Sequence, residues 1–130
     1  MQNKQLFISG LVGALAIIIG ALGAHALKPH LSLLQLESFK TGNNYHIYHS
    51  LLLVFLAFVK DNSSKLIKMS TAFFYAGIVL FSGSIYLLST KDLLGITTWK
   101  WLGPITPFGG LCFIAGWVSL AFLGVKRSIN

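Results

Sequence analysis

Residues 5–27 read QLFISGLVGALAIIIGALGAHAL, a run of 23 residues without a charged side chain. A helix that crosses the hydrocarbon core of a bilayer needs about 20 predominantly apolar residues, so this run is long enough to span a membrane. Three further uncharged runs follow it, at residues 41–59, 69–90 and 101–125. All the charged residues lie between or outside these runs. The pattern predicts four membrane-spanning helices.

The overall composition supports the same interpretation. Charged residues make up 10% of the 130-residue chain and hydrophobic residues 55%, whereas soluble domains carry about 25% charged residues. We therefore predict an all-α, polytopic membrane protein built as a four-transmembrane-helix bundle. Its single predicted domain covers residues 1–130, with spans at about 6–27, 43–59, 68–89 and 106–125.

The first run has an alternative interpretation as a secretory signal peptide. Ala24, His25 and Ala26 form a small-x-small pattern of the kind that precedes a cleavage site. The apolar run at 6–27 is longer, however, than the roughly 7–15 residues of an ordinary signal-peptide core. We therefore expect this helix to be retained.

The connections between the runs carry the polar residues. The first connection, residues 28–43, mixes leucine and phenylalanine with serine, glutamine, glutamate and lysine. This mixture predicts a short amphipathic segment in the membrane interface, which starts after Pro29 and stops at a helix-breaking Gly42. The second connection, residues 60–65, is expected to form a tight polar turn.

The net charge of +7 suggests nucleic acid only if the basic residues share one surface. Here they lie singly or in small clusters at the span ends, where lysine and arginine anchor membrane proteins. We expect membrane lipids as partners and no nucleic acid. Six basic residues on the side of the termini against four on the other side favour cytoplasmic N- and C-termini.

Small residues recur at helical spacing in three of the runs. Membrane helices associate through close packing, which small residues permit. We therefore expect a compact bundle, and the same small residues are available for self-association or for partner helices. The residues concerned are Gly13, Ala16, Gly20, Gly23 and Ala24 in the first run, Ala72, Ala76, Gly77 and Gly83 in the third, and Gly109, Cys112, Gly116 and Ser119 in the fourth.

Polar side chains within the spans gather at one membrane face. Because consecutive spans alternate in direction, the end of the first, the start of the second, the end of the third and the start of the fourth lie together. Polar groups inside a bilayer are costly and tend to face the bundle interior, which makes them functional candidates. The predicted ligand-binding set is His25, Tyr45, His46, Tyr48, His49, Ser82, Tyr86 and Thr106.

Three of these residues also form a candidate metal site. His46 and His49 are three positions apart on one helical face, His25 is available as a third ligand, and imidazole suits zinc, copper or iron. The sequence lacks an HExxH or a CxxCH motif. The alternative, which we favour, is that the histidines bond to backbone carbonyls and nearby hydroxyls at the helix ends.

Catalytic groups are sparse. Glu37, Asp61 and Asp92 are the only carboxylates and all lie outside the spans, so no buried acid is available for a proton relay or a triad. We assign no catalytic residue, favour a non-enzymatic protein and leave any cofactor unidentified. The leading hypothesis is a polar pocket at the outer membrane face that binds a lipid, small ligand or metal. The alternative is an accessory or assembly subunit of a larger membrane complex.

Several motifs in order resemble a known family. They are GALGAHAL at 20–27, TGNNYHIYHSL at 41–51, FSGSIY at 81–86, ITPFGG at 105–110 and AGW at 115–117. Together they resemble the small four-helix membrane proteins of domain-of-unknown-function family four-two-three, which includes bacterial inner-membrane proteins and a small eukaryotic transmembrane relative. The resemblance implies four retained spans in the bacterial inner (plasma) membrane, and it implies no activity.

Overall fold

Long helices, several with a local irregularity, form the described part of the chain. The computed structural model describes residues 2–59 and 64–129, so the polar turn expected at 60–65 lies largely outside the described residues. In both described ranges the regular secondary structure is entirely helical. The elements are α1 (Gln2–Leu22), a π-helical turn (Gly23–Leu27), a 3-10 turn (Lys28–His30), α2 (Leu33–Ala57), α3 (Lys65–Gly77), a π-helical segment (Ile78–Ser82), α4 (Gly83–Ser89), α5 (Lys91–Leu94) and α6 (Leu102–Ile129).

In the described part of the chain, three helical stretches are long and apolar enough to cross a membrane: Lys4–His30, Lys65–Ser89 and Leu102–Lys126. The prediction of an all-helical fold with membrane-spanning helices is confirmed to that extent. The helix α2 does not meet the same measure of apolarity. The charges of Glu37 and Lys40 and a run of asparagine and histidine after Gly42 lower its mean hydropathy.

The helix α2 runs unbroken through the position at which a break was expected. Ser32 caps its first turn, because the Ser32 Oγ accepts the Gln35 N–H at 3.2 Å while the Gln35 side chain accepts the Ser32 N–H at 2.9 Å. Gly42 lies inside the helix. A Cβ at this position would lie 2.9 Å from Ile85 Cγ2, so the glycine permits close approach of α4 instead of ending α2.

The start of the last helix also differs from expectation. The helix α6 begins at Leu102, not near Thr106. Proline is tolerated in the first turn of a helix, where the backbone N–H groups lack partners, so Pro104 is compatible with this start. Pro107 lies inside the helix. Thr106 consequently faces α4 from within the helix.

Close helix packing through small residues is confirmed at several positions. A Cβ at Gly116 would lie 2.5 Å from Cε1 of the Phe74 ring. A Cβ at Gly109 would lie 2.6 Å from Cα of Phe81. These glycines bring α6 against α3 and the π-helical segment. The adjoining hydrophobic core consists of Leu53, Leu56, Phe74, Ile78 and Phe113.

The chain order places four helix ends at one face of the bundle. The helix α2 packs against α1 and against α4 with its preceding π-helical segment, and α6 packs against α3, the π-helical segment and α4. The turns at 28–32 and the connection at 90–101 therefore lie at the same face, which we call the polar face. Gly95 ends α5 with a φ of 68°, a left-handed conformation that glycine adopts readily.

Candidate functional site

The predicted ligand-binding residues separate into buried and surface groups. His46, His49 and Ser82 are buried, with His46 3% and His49 5% exposed. Tyr86 and Thr106 are half-buried, whereas His25, Tyr45 and Tyr48 are exposed. The structure therefore brings only part of the predicted set together, and it does so inside the bundle.

His49 uses both nitrogens of its ring within the protein. The Nε2 atom lies 3.3 Å from Nε1 of Trp117, an indole N–H that can only donate. Nε2 is therefore the acceptor and Nδ1 carries the proton, which it donates to the Tyr45 carbonyl at 2.7 Å. The ring also stacks on Phe113, with centroids 3.7 Å apart and 12° between the planes. This histidine links α2 to α6 and leaves no lone pair for a metal.

A second network joins α1, α2 and α4. The Asn43 side-chain amide donates to the Ala16 carbonyl at 2.7 Å and to the Tyr86 hydroxyl at 3.1 Å. The Tyr86 hydroxyl lies 3.0 Å from Nδ1 of His46. The Asn43 amide and the His46 ring thus share the Tyr86 hydroxyl as a hydrogen-bond partner. Asn43 was not among the site residues predicted from the sequence.

The second ring nitrogen of His46, Nε2, is buried and has no hydrogen-bond partner among the described residues. The Val12 carbonyl of α1 is the nearby backbone acceptor, but no bond of ordinary geometry forms. The carbonyl of His46 itself accepts the Ser50 hydroxyl at 2.7 Å. His46 thus acts as a polar contact between helices.

The structure does not assemble the three-histidine metal site. His25 is exposed in the π-helical turn at 23–27, whereas His46 and His49 point into the bundle. Among residues 2–59 and 64–129, no group of three or more histidine, cysteine, aspartate or glutamate side chains is placed to hold a metal ion. The two hydrogen bonds of His49 give the physical reason. The favoured alternative, a bond to a backbone carbonyl, is what His49 shows.

The exposed tyrosines lie on α2, where Tyr45 packs near the π-helical segment and α6. The Tyr45 ring lies 4.8 Å from the Phe81 ring and 6.0 Å from the Phe113 ring, between centroids. Tyr48 is 61% exposed and lies 6.5 Å from Tyr45. Tyr45 therefore covers the contact of α2 with these elements, and both tyrosines face the surroundings of the protein.

A groove opens at the polar face. Its volume is about 590 Å³, within the range of about 300–1,000 Å³ that is usual for ligand sites. Thr106 is the one predicted residue on its wall. The lining residues are Ser32, Leu34, Gln35, Ser38 and Thr41 from the α2 side, Ile85, Leu88 and Ser89 from α4, Lys91 and Asp92 from α5, and Thr106 from α6.

One hydroxyl on the groove wall stands out. Ser89 is 3% exposed, and its Oγ finds no hydrogen-bond partner within the described part of the chain. A buried hydroxyl without a partner is unfavourable by about 1–3 kcal/mol, which a bound polar group would relieve. Nearby, the Gln35 amide donates to the Asp92 carboxylate at 2.7 Å and joins α2 to α5. Ser89 and Asp92 were not predicted as site residues, because they lie at the end of a predicted span, where polar side chains are common.

Comparison with known proteins identifies the family to which the chain is similar. The family model described as "Protein of unknown function (DUF423)" matches residues 19–110. The chain belongs to this family. The matched range contains every residue that lines the groove and ends before Phe113 and Trp117.

Several bacterial relatives are similar to this chain over nearly its whole length. The UPF0382 membrane protein YwdK of Bacillus subtilis is 41% identical over 95% of this chain and 98% of its own. A UPF0382 membrane protein of Haemophilus influenzae is 34% identical over 97% of both chains. The UPF0382 inner membrane protein YgdD of Escherichia coli is 32% identical over 95% of this chain and 89% of its own. No solved structure matches the chain significantly.

Proposed function

We propose that this chain is a four-span protein of the bacterial inner membrane that holds one phospholipid in the groove at its polar face and catalyses no reaction. The observation that carries the proposal is the groove itself. It combines apolar side chains such as Leu34, Ile85 and Leu88 with polar groups, among them the unpartnered hydroxyl of Ser89. A phospholipid has the same division between apolar chains and a polar headgroup.

The span that we propose in addition to the three apolar stretches is the second half of α2. Residues 43–57 belong to α2, which packs against α1, α3, the π-helical segment and α4, and their buried side chains include Leu53 and Leu56 of the core. A segment packed against two spanning helices lies at the same depth in the bilayer. The Escherichia coli relative YgdD, named as an inner membrane protein, supports a location in the inner membrane.

The buried polar residues between α2 and α4 have a supporting role in this proposal. The network of Asn43, His46 and Tyr86 fixes α2 against α4, and these two helices form opposite walls of the groove. Hydrogen bonds between membrane helices contribute about 0.6 kcal/mol on average, so the network holds the walls in register. The polar residues deeper in the bundle therefore position the site and do not line it.

The four-span proposal predicts that both termini lie on the same side of the membrane, and the distribution of basic residues favours the cytoplasmic side. Cys112 is the only cysteine, so a Cys112→Ser background carries single cysteines made by Lys4→Cys, Thr97→Cys or Lys126→Cys. In intact cells a membrane-impermeant maleimide should label only the cysteine at position 97. Labelling of one terminus alone would contradict four spans, and labelling of both termini but not position 97 would reverse the orientation.

The lipid proposal predicts that purified protein retains one phospholipid per chain in native mass spectrometry from a mild detergent. Thr41→Trp places a large ring in the groove from an exposed position of α2, so this variant should lose the lipid. Thr98→Trp is the matched control, because Thr98 is exposed and does not line the groove. This control should retain the lipid as the parent does.

Three outcomes would overturn the lipid proposal. The first is a parent protein that neither retains a phospholipid nor takes one up when phospholipid is titrated back. The second is retention that Thr41→Trp leaves unchanged. The third is a stable complex with a second protein and no lipid, which would favour the accessory-subunit alternative.

A further inference from the structure

We infer that the groove selects a phospholipid whose headgroup carries a primary ammonium, as phosphatidylethanolamine does. This inference rests on the proposed function and concerns the same groove. It follows from the hydrogen bonds that the polar groups on the groove wall already donate or accept within the protein. Three of these groups are left as acceptors, and a ligand with N–H donors would complement them.

The first acceptor is Thr106. The Ser84 hydroxyl donates its one proton to the Phe81 carbonyl at 3.0 Å. The Thr106 and Ser84 hydroxyls lie 2.6 Å apart, so in that contact Ser84 accepts and Thr106 donates. With its proton used, Thr106 Oγ1 on the groove wall can only accept.

Thr41 and Asp92 are acceptors for similar reasons. The Thr41 hydroxyl donates to the Glu37 carbonyl at 3.0 Å within α2, which leaves the lone pairs of its oxygen. The ionised Asp92 carboxylate has about four acceptor sites, of which the Gln35 amide occupies one. Both side chains line the groove together with Thr106.

The remaining polar groups suit a phosphate. Lys91 is a cation on the groove wall, and the Ser89 hydroxyl has no partner within the described residues. Lys91 and Asp92 are adjacent and opposite in charge, so a headgroup with one negative and one positive group matches them. A primary ammonium offers three N–H donors to the acceptors. A choline headgroup carries the charge without N–H donors, and a glycerol headgroup lacks the positive charge.

The test is competition for the delipidated full-length protein in native mass spectrometry. Phosphatidylethanolamine, phosphatidylcholine and phosphatidylglycerol with identical acyl chains are supplied at equal concentration. We expect phosphatidylethanolamine to be retained roughly tenfold over each of the other two, a ratio equal to about 1.4 kcal/mol. Phosphatidylcholine is the closest comparison, because it differs at the ammonium alone.

Two variants test the assignment of the groups. Asp92→Asn keeps the shape and an acceptor for Gln35 but removes the charge, so it should reduce the preference over phosphatidylcholine to about twofold. Lys91→Gln should weaken retention of all three lipids to a similar degree. Both side chains are exposed, so neither change is expected to impair folding.

The outcomes separate this inference from the lipid proposal beneath it. Equal retention of the three lipids, or a preference for phosphatidylglycerol, would overturn the ammonium inference and leave the lipid proposal standing. An Asp92→Asn variant with the full preference would overturn the role of Asp92 and with it the inference. Retention of none of the three would count against the proposed function itself.

Discussion

Replacing Gly109 with alanine is expected to destabilise the protein by about 3 kcal/mol, the upper part of the range for overpacked sites. A Cβ at this position would lie 2.6 Å from Cα of Phe81 and 2.7 Å from the carbonyl carbon of Leu80. These are backbone atoms of the π-helical segment, so no rotation of a side chain can relieve the contact. The helix α6 would have to move away from the segment at 78–82.

The neighbouring glycine provides a matched control. A Cβ at Gly110 would meet only the Phe81 ring, at an ordinary distance of 3.9 Å. Alanine favours a helix over glycine by about 1 kcal/mol, so Gly110→Ala should be neutral or stabilising. Unfolding of both variants in detergent micelles, followed by circular dichroism, gives the comparison. Equal stability of the two variants would show that the close contact of α6 with the π-helical segment is absent.

The fold was predictable to the extent that hydrophobicity decides it. Runs without charge predicted helices that are long and apolar enough to span a membrane, and the described residues contain three such helices. The unbroken course of α2 was not predictable, because it depends on Gly42 meeting Ile85 of another helix. A glycine in a sequence can mark a helix end or a close helix contact, and only the neighbouring helix distinguishes the two.

Of the residues predicted from the sequence, only Thr106 lines the groove. Alternation of helix direction placed polar residues of several spans near one face, and the groove with Thr106 opens there. The hydrogen bonds of His49 to Tyr45 and Trp117 could not be predicted, because they depend on the rotation of α6 about its axis. Side chains that the sequence offers as ligands are in this way used to hold helices together.

Removing the Tyr86 hydroxyl is expected to destabilise the protein by roughly 2–3 kcal/mol, because leaving a buried polar group unpaired is unfavourable by about 1–3 kcal/mol. Tyr86→Phe keeps the ring, which packs 5.0 Å from Phe39 between centroids. It removes the partner of an Asn43 N–H and of His46 Nδ1 together. Unfolding in detergent micelles measures the change, and Tyr48→Phe, at an exposed tyrosine, should leave stability unchanged.

A double-mutant cycle separates the unpaired histidine from a general loss of packing. Replacing both partners of a buried hydrogen bond with apolar groups is far less unfavourable than removing one of them. In Tyr86→Phe combined with His46→Leu, the loss should therefore be smaller than the sum of the single losses by about 1 kcal/mol, within the range for residues in contact. Additive losses would mean that Tyr86 and His46 do not interact, and that Tyr86 stabilises the wall of the groove through packing alone.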